Sequence, residues 1–294
     1  TLAIGVWLRG RSGSLSTFLV AGRSVRMYLG IATLVATELG LVTVMYMGQA
    51  GFQGGFSAYF FGVLGLVTTL AIGLTGFVIA GLRRAEVMTI PEFYEKRYNK
   101  TVRVVGATIL AISGILNYAV FLFVDAQFVS TVLGLGDGME LKLVMTAMLA
   151  IVLFYTVLGG MVSVIMTDLI QFSVMGLGLL AATYVVVSKT GWDRMIDAVY
   201  AHRGLEGFDP AISPEFGPAW LLVVLFGNVA GVCLWMPSTV RAMCSTNATV
   251  ARKVYVWSSI GYMARMILPV TWGIAAYVYV MNSPDLREIF FPTG

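Results

Sequence analysis

The chain has 294 residues, of which 58% are apolar and only 12% charged, and its mean hydropathy is +0.86. A soluble domain carries about twice that charged fraction, so most of this chain is solvated by lipid. A soluble enzyme, a nucleic-acid binder and a disordered tail are excluded as the main reading. The net charge of +4 is modest, the two cysteines make no disulfide framework, and one histidine, His202, makes no His-rich metal site.

A membrane helix needs roughly 20 mostly apolar residues. Thr1 to Leu8 reads as the tail of an apolar helix, the remnant of a span whose start precedes the chain. Met27 to Leu82 carries one charge, Glu38, and reads as two spans turned at Gly51-Phe52-Gln53-Gly54-Gly55. The uncharged run from Val104 continues to about Val132 as a third span. Leu143 to Ser188 carries only Asp168 and reads as two spans broken near Gly159-Gly160. Phe216 to Val240 has no charge and Val254 to Asn282 only Arg265, giving one span each. Before them, in the polar stretch Lys189 to Glu215, Gly191 to Ala201 reads as a short interfacial helix on the outer surface.

Lys and Arg residues orient these spans, because cytoplasmic loops collect positive charge. Arg9, Arg11, Arg23 and Arg26 fall in the first gap, Arg83 to Arg103 in the third, and Arg241, Arg252 and Lys253 in the seventh. The opposite gaps hold fewer, and more acids. The alternation places the remnant's end in the cytoplasm and predicts a multi-pass protein of the plasma (cytoplasmic) membrane.

An ionisable group inside a bilayer costs at least ~2.5 kcal/mol, so each one asks for a reason. Glu38 lies near mid-membrane in the first full helix, where Thr33, Thr37 and Gly40 permit unwinding. A broken helix frees backbone carbonyls for a cation or a substrate; the plainer role is an acid paired for packing. Asp168, early in its helix, is either a waypoint for a cation or an acid favoured by the helix dipole. Asp125, with Gln127 nearby, is a vestibule acid or a structural partner. Arg265 is either a buried partner for Glu38 or Asp125 or a fork for a substrate carboxylate. Asn117 faces a cavity or makes an isolated hydrogen bond between helices.

Several stretches together resemble the sodium:solute symporter family. They are Phe18 to Ser24, Thr89 to Lys100, the stretch Tyr155 to Gln171 with its Gly159-Gly160 and Thr167-Asp168, a short basic loop with Arg241, and Gly273 to Tyr277. The resemblance implies an all-α membrane protein with a LeuT-like fold of two inverted five-helix repeats after one preceding helix. On that scheme residues 1–8 are the remnant of the preceding helix, 9–188 hold the complete first repeat, and 189–217 form an external loop. Residues 218–294 are then the first two helices of a truncated second repeat.

The resemblance further implies co-transported sodium and a small-molecule solute, moved across the lipid bilayer by alternating access, with no enzymatic activity and no nucleic-acid partner. Ala36 and Leu39 map to carbonyl ligands of the main sodium site, whose other half falls beyond Gly294. Asp168 matches an acid tied to sodium release. Thr37, Glu38, Gly40 and Thr43, with Asn117 and Arg265, are the expected solute-binding residues. An acid at Glu38 and a base at Arg265 suggest a zwitterion or a carboxylate. The alternative is a solute-sensing membrane domain of a signalling protein.

Overall fold

The computed structural model describes residues 14–291; the expected remnant at 1–8, with Arg9 and Arg11, lies outside them. The described chain is almost wholly helical, with one isolated parallel bridge between Val25 and Ser245. In chain order the helices are α1 (Leu15–Val20), α2 (Met27–Glu38), α3 (Leu41–Gly54), α4 (Phe60–Thr75), α5 (Ile79–Arg84), α6 (Ile90–Arg97) and α7 (Lys100–Leu133). Then follow α8 (Met139–Thr190), α9 (Trp192–Arg203), α10 (Gly217–Leu234), α11 (Met236–Cys244), α12 (Ala248–Met281) and α13 (Pro284–Phe290). Among the described residues, 41–75, 100–133, 159–190, 217–234 and 248–281 are long and apolar enough to cross a membrane.

Local chemistry sets the boundaries. Thr89 caps α6 by accepting from Glu92 N at 3.2 Å, while the Glu92 carboxylate accepts from Met88 N at 2.7 Å. This reciprocal arrangement satisfies two backbone donors that the helix start leaves open. Asn99 caps α7 through Val102 N, and Gly134 ends it in the left-handed conformation that a residue without a β-carbon adopts freely.

The expected turn within residues 51–55 is present. Tyr46 and Phe61 have ring centroids 6.0 Å apart, whereas fifteen residues of straight helix would separate them by about 22 Å. Gly55, with φ +66°, makes the reversal, and a 3-10 turn over Gly55–Tyr59 leads into α4. The expected break near Gly159-Gly160 is also present, at Gly160 with φ +54° and ψ −158°. A β-carbon at Gly160 would press on the Phe18 ring at 2.7 Å.

The first span is divided where Gly40 and its threonines permit unwinding: α2 ends at Glu38 and α3 starts at Leu41, with Gly40 extended between them. Two boundaries differ from expectation. The second span stops at Thr75, because Gly76 and Val78 take positive φ and start α5 afresh. The span expected to reach Val240 ends at Leu234. There Trp235 is extended and Pro237 sits at the start of α11, where a missing N–H costs nothing. The run stays uncharged to Val240, so charge does not mark the junction, and Pro237 is its local signal.

The chain divides into two compact units. Of the described residues, the first takes in 14–37, 72–170 and 233–255; its core includes Val20, Val25, Leu82, Val87, Ile165 and Met243. The second takes in 38–71, 171–232 and 256–291. Its core joins Met47, Phe60, Phe61, Val270, Ile274 and Tyr277 to Met195 and Val199 of α9. The expected helix at 191–201 is therefore real, and it buries one face. By contrast α7 exposes Ile109, Ile112, Ile115, Leu116 and Val120. A helix that is apolar all round suits hydrocarbon as its solvent. The protein is an all-α, multi-pass membrane protein.

Candidate functional site

Among the described residues, each unit holds one buried ion pair. In the second unit the partners are Glu38, the last residue of α2, and Arg265, the residue four before Pro269 in α12. A helix end leaves its last carbonyls without partners in the helix. The Arg265 guanidinium donates through Nη1 to the Glu38 carbonyl and lies 3.5 Å from the Glu38 Oε2. Thr43 Oγ1 approaches the same carbonyl at 3.5 Å. Arg265 also stacks over the Tyr262 ring at 4.5 Å, a contact strengthened by removal from water.

Close helix packing makes this meeting possible. A β-carbon at Gly51 would collide with the Val270 carbonyl, and one at Gly273 with the Gly48 carbonyl. The glycines let α3 and α12 approach backbone to backbone, as small residues do in membranes. Beside the pair lies a cavity of ≈ 240 Å³, lined by Glu38, Asn228, Tyr262, Arg265, and the α10 residues Val224, Gly227, Gly231 and Val232. Arg265 is 7% exposed and its Nε has no hydrogen-bond partner. A desolvated donor left open beside a cavity is poised for an acceptor that enters it.

In the first unit the partners are Asp168 and Arg241. Asp168 is 6% exposed and its Oδ2 accepts from Arg241 Nη2 at 2.8 Å. The same oxygen accepts from the Thr33 hydroxyl and, at 3.4 Å, from the Thr37 hydroxyl. Arg241 Nε reaches Thr33 Oγ1 at 3.3 Å. Thr33 and Thr37 are four apart on α2 and so share a face. Asp168 lies two turns past the break at Gly160, and it is the guanidinium, not a helix end, that meets its charge. Arg241 was expected in a solvated basic loop; it is instead on the helix α11 and 6% exposed. Loop reading by charge fails here because the partner that draws Arg241 inward lies 73 residues away.

The remaining expected site residues are placed as follows. Ala36 and Leu39 flank the break after α2, both buried. Gly40, extended at φ −121°, caps α3. Asn117 is half-buried on α7 and takes no part in the Asp168 network. Asp125 is half-buried with one carboxylate oxygen lacking a hydrogen-bond partner, and Gln127 beside it is exposed. Sequence reasoning missed Thr33, Arg241, Asn228 and Tyr262. A signal existed for Asn228, the one amide in the uncharged run 216–240. Nothing in the sequence marked Tyr262.

The chain is 28% identical to a sodium/glucose cotransporter of Vibrio parahaemolyticus across 97% of this chain and 54% of that protein. It is 21% identical to a putative sodium-dependent multivitamin transporter of Drosophila melanogaster, across 98% of this chain and 48% of that one. The chain thus spans about half the length of these relatives. Its fold matches that of a Na+-coupled sialic acid symporter in a substrate-bound, outward-open state, with TM-score 0.83 at 16% identity, covering 100% of this chain and 60% of that one. The architecture is therefore LeuT-like. The sequence model of the sodium:solute symporter family matches residues 18–288, and the chain belongs to that family of membrane transporters.

Proposed function

We propose that the protein works by sodium-coupled symport of a small organic solute, a zwitterion or a carboxylate, held between Glu38 and Arg265. The observation that carries this reading is the ion pair at the broken helix, opening onto the ≈ 240 Å³ cavity. A solute carboxylate would meet the open Nε edge of Arg265, and a solute ammonium the Glu38 carboxylate. Without solute the two side chains neutralise each other, which is how a membrane tolerates them.

Sodium is cargo in this scheme. The last carbonyls of α2, near Ala36 and Leu39, lose their partners at the break, and a half-helix C-terminus with freed carbonyls favours a cation. Asp168, with Thr33, Thr37 and Arg241, would serve sodium's passage inward, Arg241 holding the carboxylate when no ion is near. Within the same reading, residues 9–188 form the first repeat, 189–217 an external loop, and 218–294 open the second.

The test is binding to the purified protein of L-alanine, its amide and propionate, with Arg265→Gln and Glu38→Gln beside the wild type. Arg265→Gln should weaken propionate and alanine at least tenfold and spare the amide. Glu38→Gln should weaken alanine and the amide and spare propionate. Equal effects of both substitutions on all three compounds, with folding intact, would overturn the charge assignment.

A further inference from the structure

Several glycines of this fold are placed by close packing. At Gly30, Gly51, Gly62 and Gly273 an added β-carbon would collide with a neighbouring helix, so those glycines serve packing. Gly227 and Gly231 on α10 have the spacing that ordinarily marks a membrane packing face. Yet an added β-carbon at either would meet no atom within 4 Å. Packing within this chain therefore does not explain them, and both are exposed. Being four apart they share one face of α10, and that face lines the cavity beside Glu38 and Arg265.

A second observation points to a ligand there. Arg265, more than nine-tenths buried, borders the same cavity with its Nε unpartnered. Asn228 spends its amide nitrogen on Val224 O at 2.9 Å, which leaves its side-chain oxygen as an acceptor on that wall. The rest of the α10 wall is Val224 and Val232, without charge. The volume of ≈ 240 Å³ equals that of about eight waters at liquid density. That is room for a zwitterionic head group and a side group of leucine's size.

We infer that Gly227 and Gly231 are specificity-determining residues: their missing side chains form a shelf that receives the solute's apolar side group. The site therefore takes zwitterions with a bulky aliphatic or ring substituent in preference to glycine-sized ones. This inference rests on the proposed binding of solute between Glu38 and Arg265. A methyl at either position would fill about 30 Å³ of the shelf, roughly the space of one water. A leucine side chain would close it.

The experiment measures binding of glycine, L-alanine, L-proline and L-leucine to the purified full chain in sodium buffer. Wild type is compared with Gly231→Ala, Gly231→Leu and Gly227→Ala. Since nothing is met by the new β-carbons and alanine favours helix over glycine, the alanine variants should melt at or above the wild-type temperature. Wild type should prefer leucine and proline over glycine by tenfold or more. The leucine-to-glycine affinity ratio should fall several-fold in the alanine variants and more than tenfold in Gly231→Leu. An unchanged ratio in all three variants, with melting retained, overturns the shelf while leaving the Glu38–Arg265 reading intact. Failure of the wild type to bind any of the four amino acids overturns the zwitterion site itself, and the shelf with it.

Discussion

Four arginines place their guanidinium groups on carbonyls left over where a helix ends. Arg265 takes the end of α2 at Glu38 O, Arg203 that of α3 at Phe52 O and Gln53 O, and Arg252 that of α4 at Gly73 O and Leu74 O. Arg83 takes Ser245 O at 2.5 Å and Thr246 O at 2.7 Å, past the end of α11. A carbonyl stranded in hydrocarbon is costly, and a cation at a helix C-terminus is favoured by the dipole. Arg203→Gln should therefore lose about 1–2 kcal/mol, read as a lower melting temperature in detergent. Asp168 and Arg241 obey a harsher rule, since removing one partner strands a buried charge. Asp168→Asn or Arg241→Gln alone should cost about 3–5 kcal/mol, and the double substitution less than either. Losses that simply add in the double variant would show that the two do not stabilise each other. Cys244 makes a simpler case: it is fully buried, and burial pushes its thiol up to about 12. A raised thiol stays protonated at neutral pH, so Cys244 should resist maleimide at pH 7–8 until the protein unfolds.

At the scale of the element, breaks shape the candidate site. The interruption at Leu39 and Gly40 was legible, because a glycine next to threonines and a lone acid in an apolar span has few structural uses. The turn at Gly54-Gly55 and the break at Gly160 were legible for the same reason: a span of that length must be divided, and glycine is where it divides. The junction at Trp235 was read past, since the run stays uncharged to Val240 and Pro237 alone marks it. Helix contacts were also out of reach. Gly51 and Gly273 look like any other membrane glycines, and only the structure shows that α3 and α12 touch there. Gly273→Val should force these helices apart, at a cost of about 1–3 kcal/mol or more. It should abolish solute binding although residue 273 does not line the cavity. Unchanged binding in a folded Gly273→Val protein would mean that the approach of α3 to α12 does not set the Glu38–Arg265 geometry.

For the whole molecule, composition alone establishes the solvent, and the motifs point to the family that the sequence model confirms over residues 18–288. The candidate site was half legible. Charges inside the bilayer announced themselves by their cost, so Glu38, Asp168 and Arg265 could be named from the sequence. Their partners could not: Arg241 looked like a loop residue and Tyr262 like a core aromatic, because partnership across the chain leaves no local pattern. Sodium coupling and solute binding at Glu38 and Arg265 together make the central claim. Its most direct test is uptake of a zwitterionic amino acid, L-leucine or L-proline, into proteoliposomes holding the protein, under an inward gradient of sodium or of choline. The sodium gradient should drive accumulation above the outside concentration, and Arg265→Gln should abolish it. Equal uptake under sodium and choline, or uptake unaffected by Arg265→Gln, would contradict the claim.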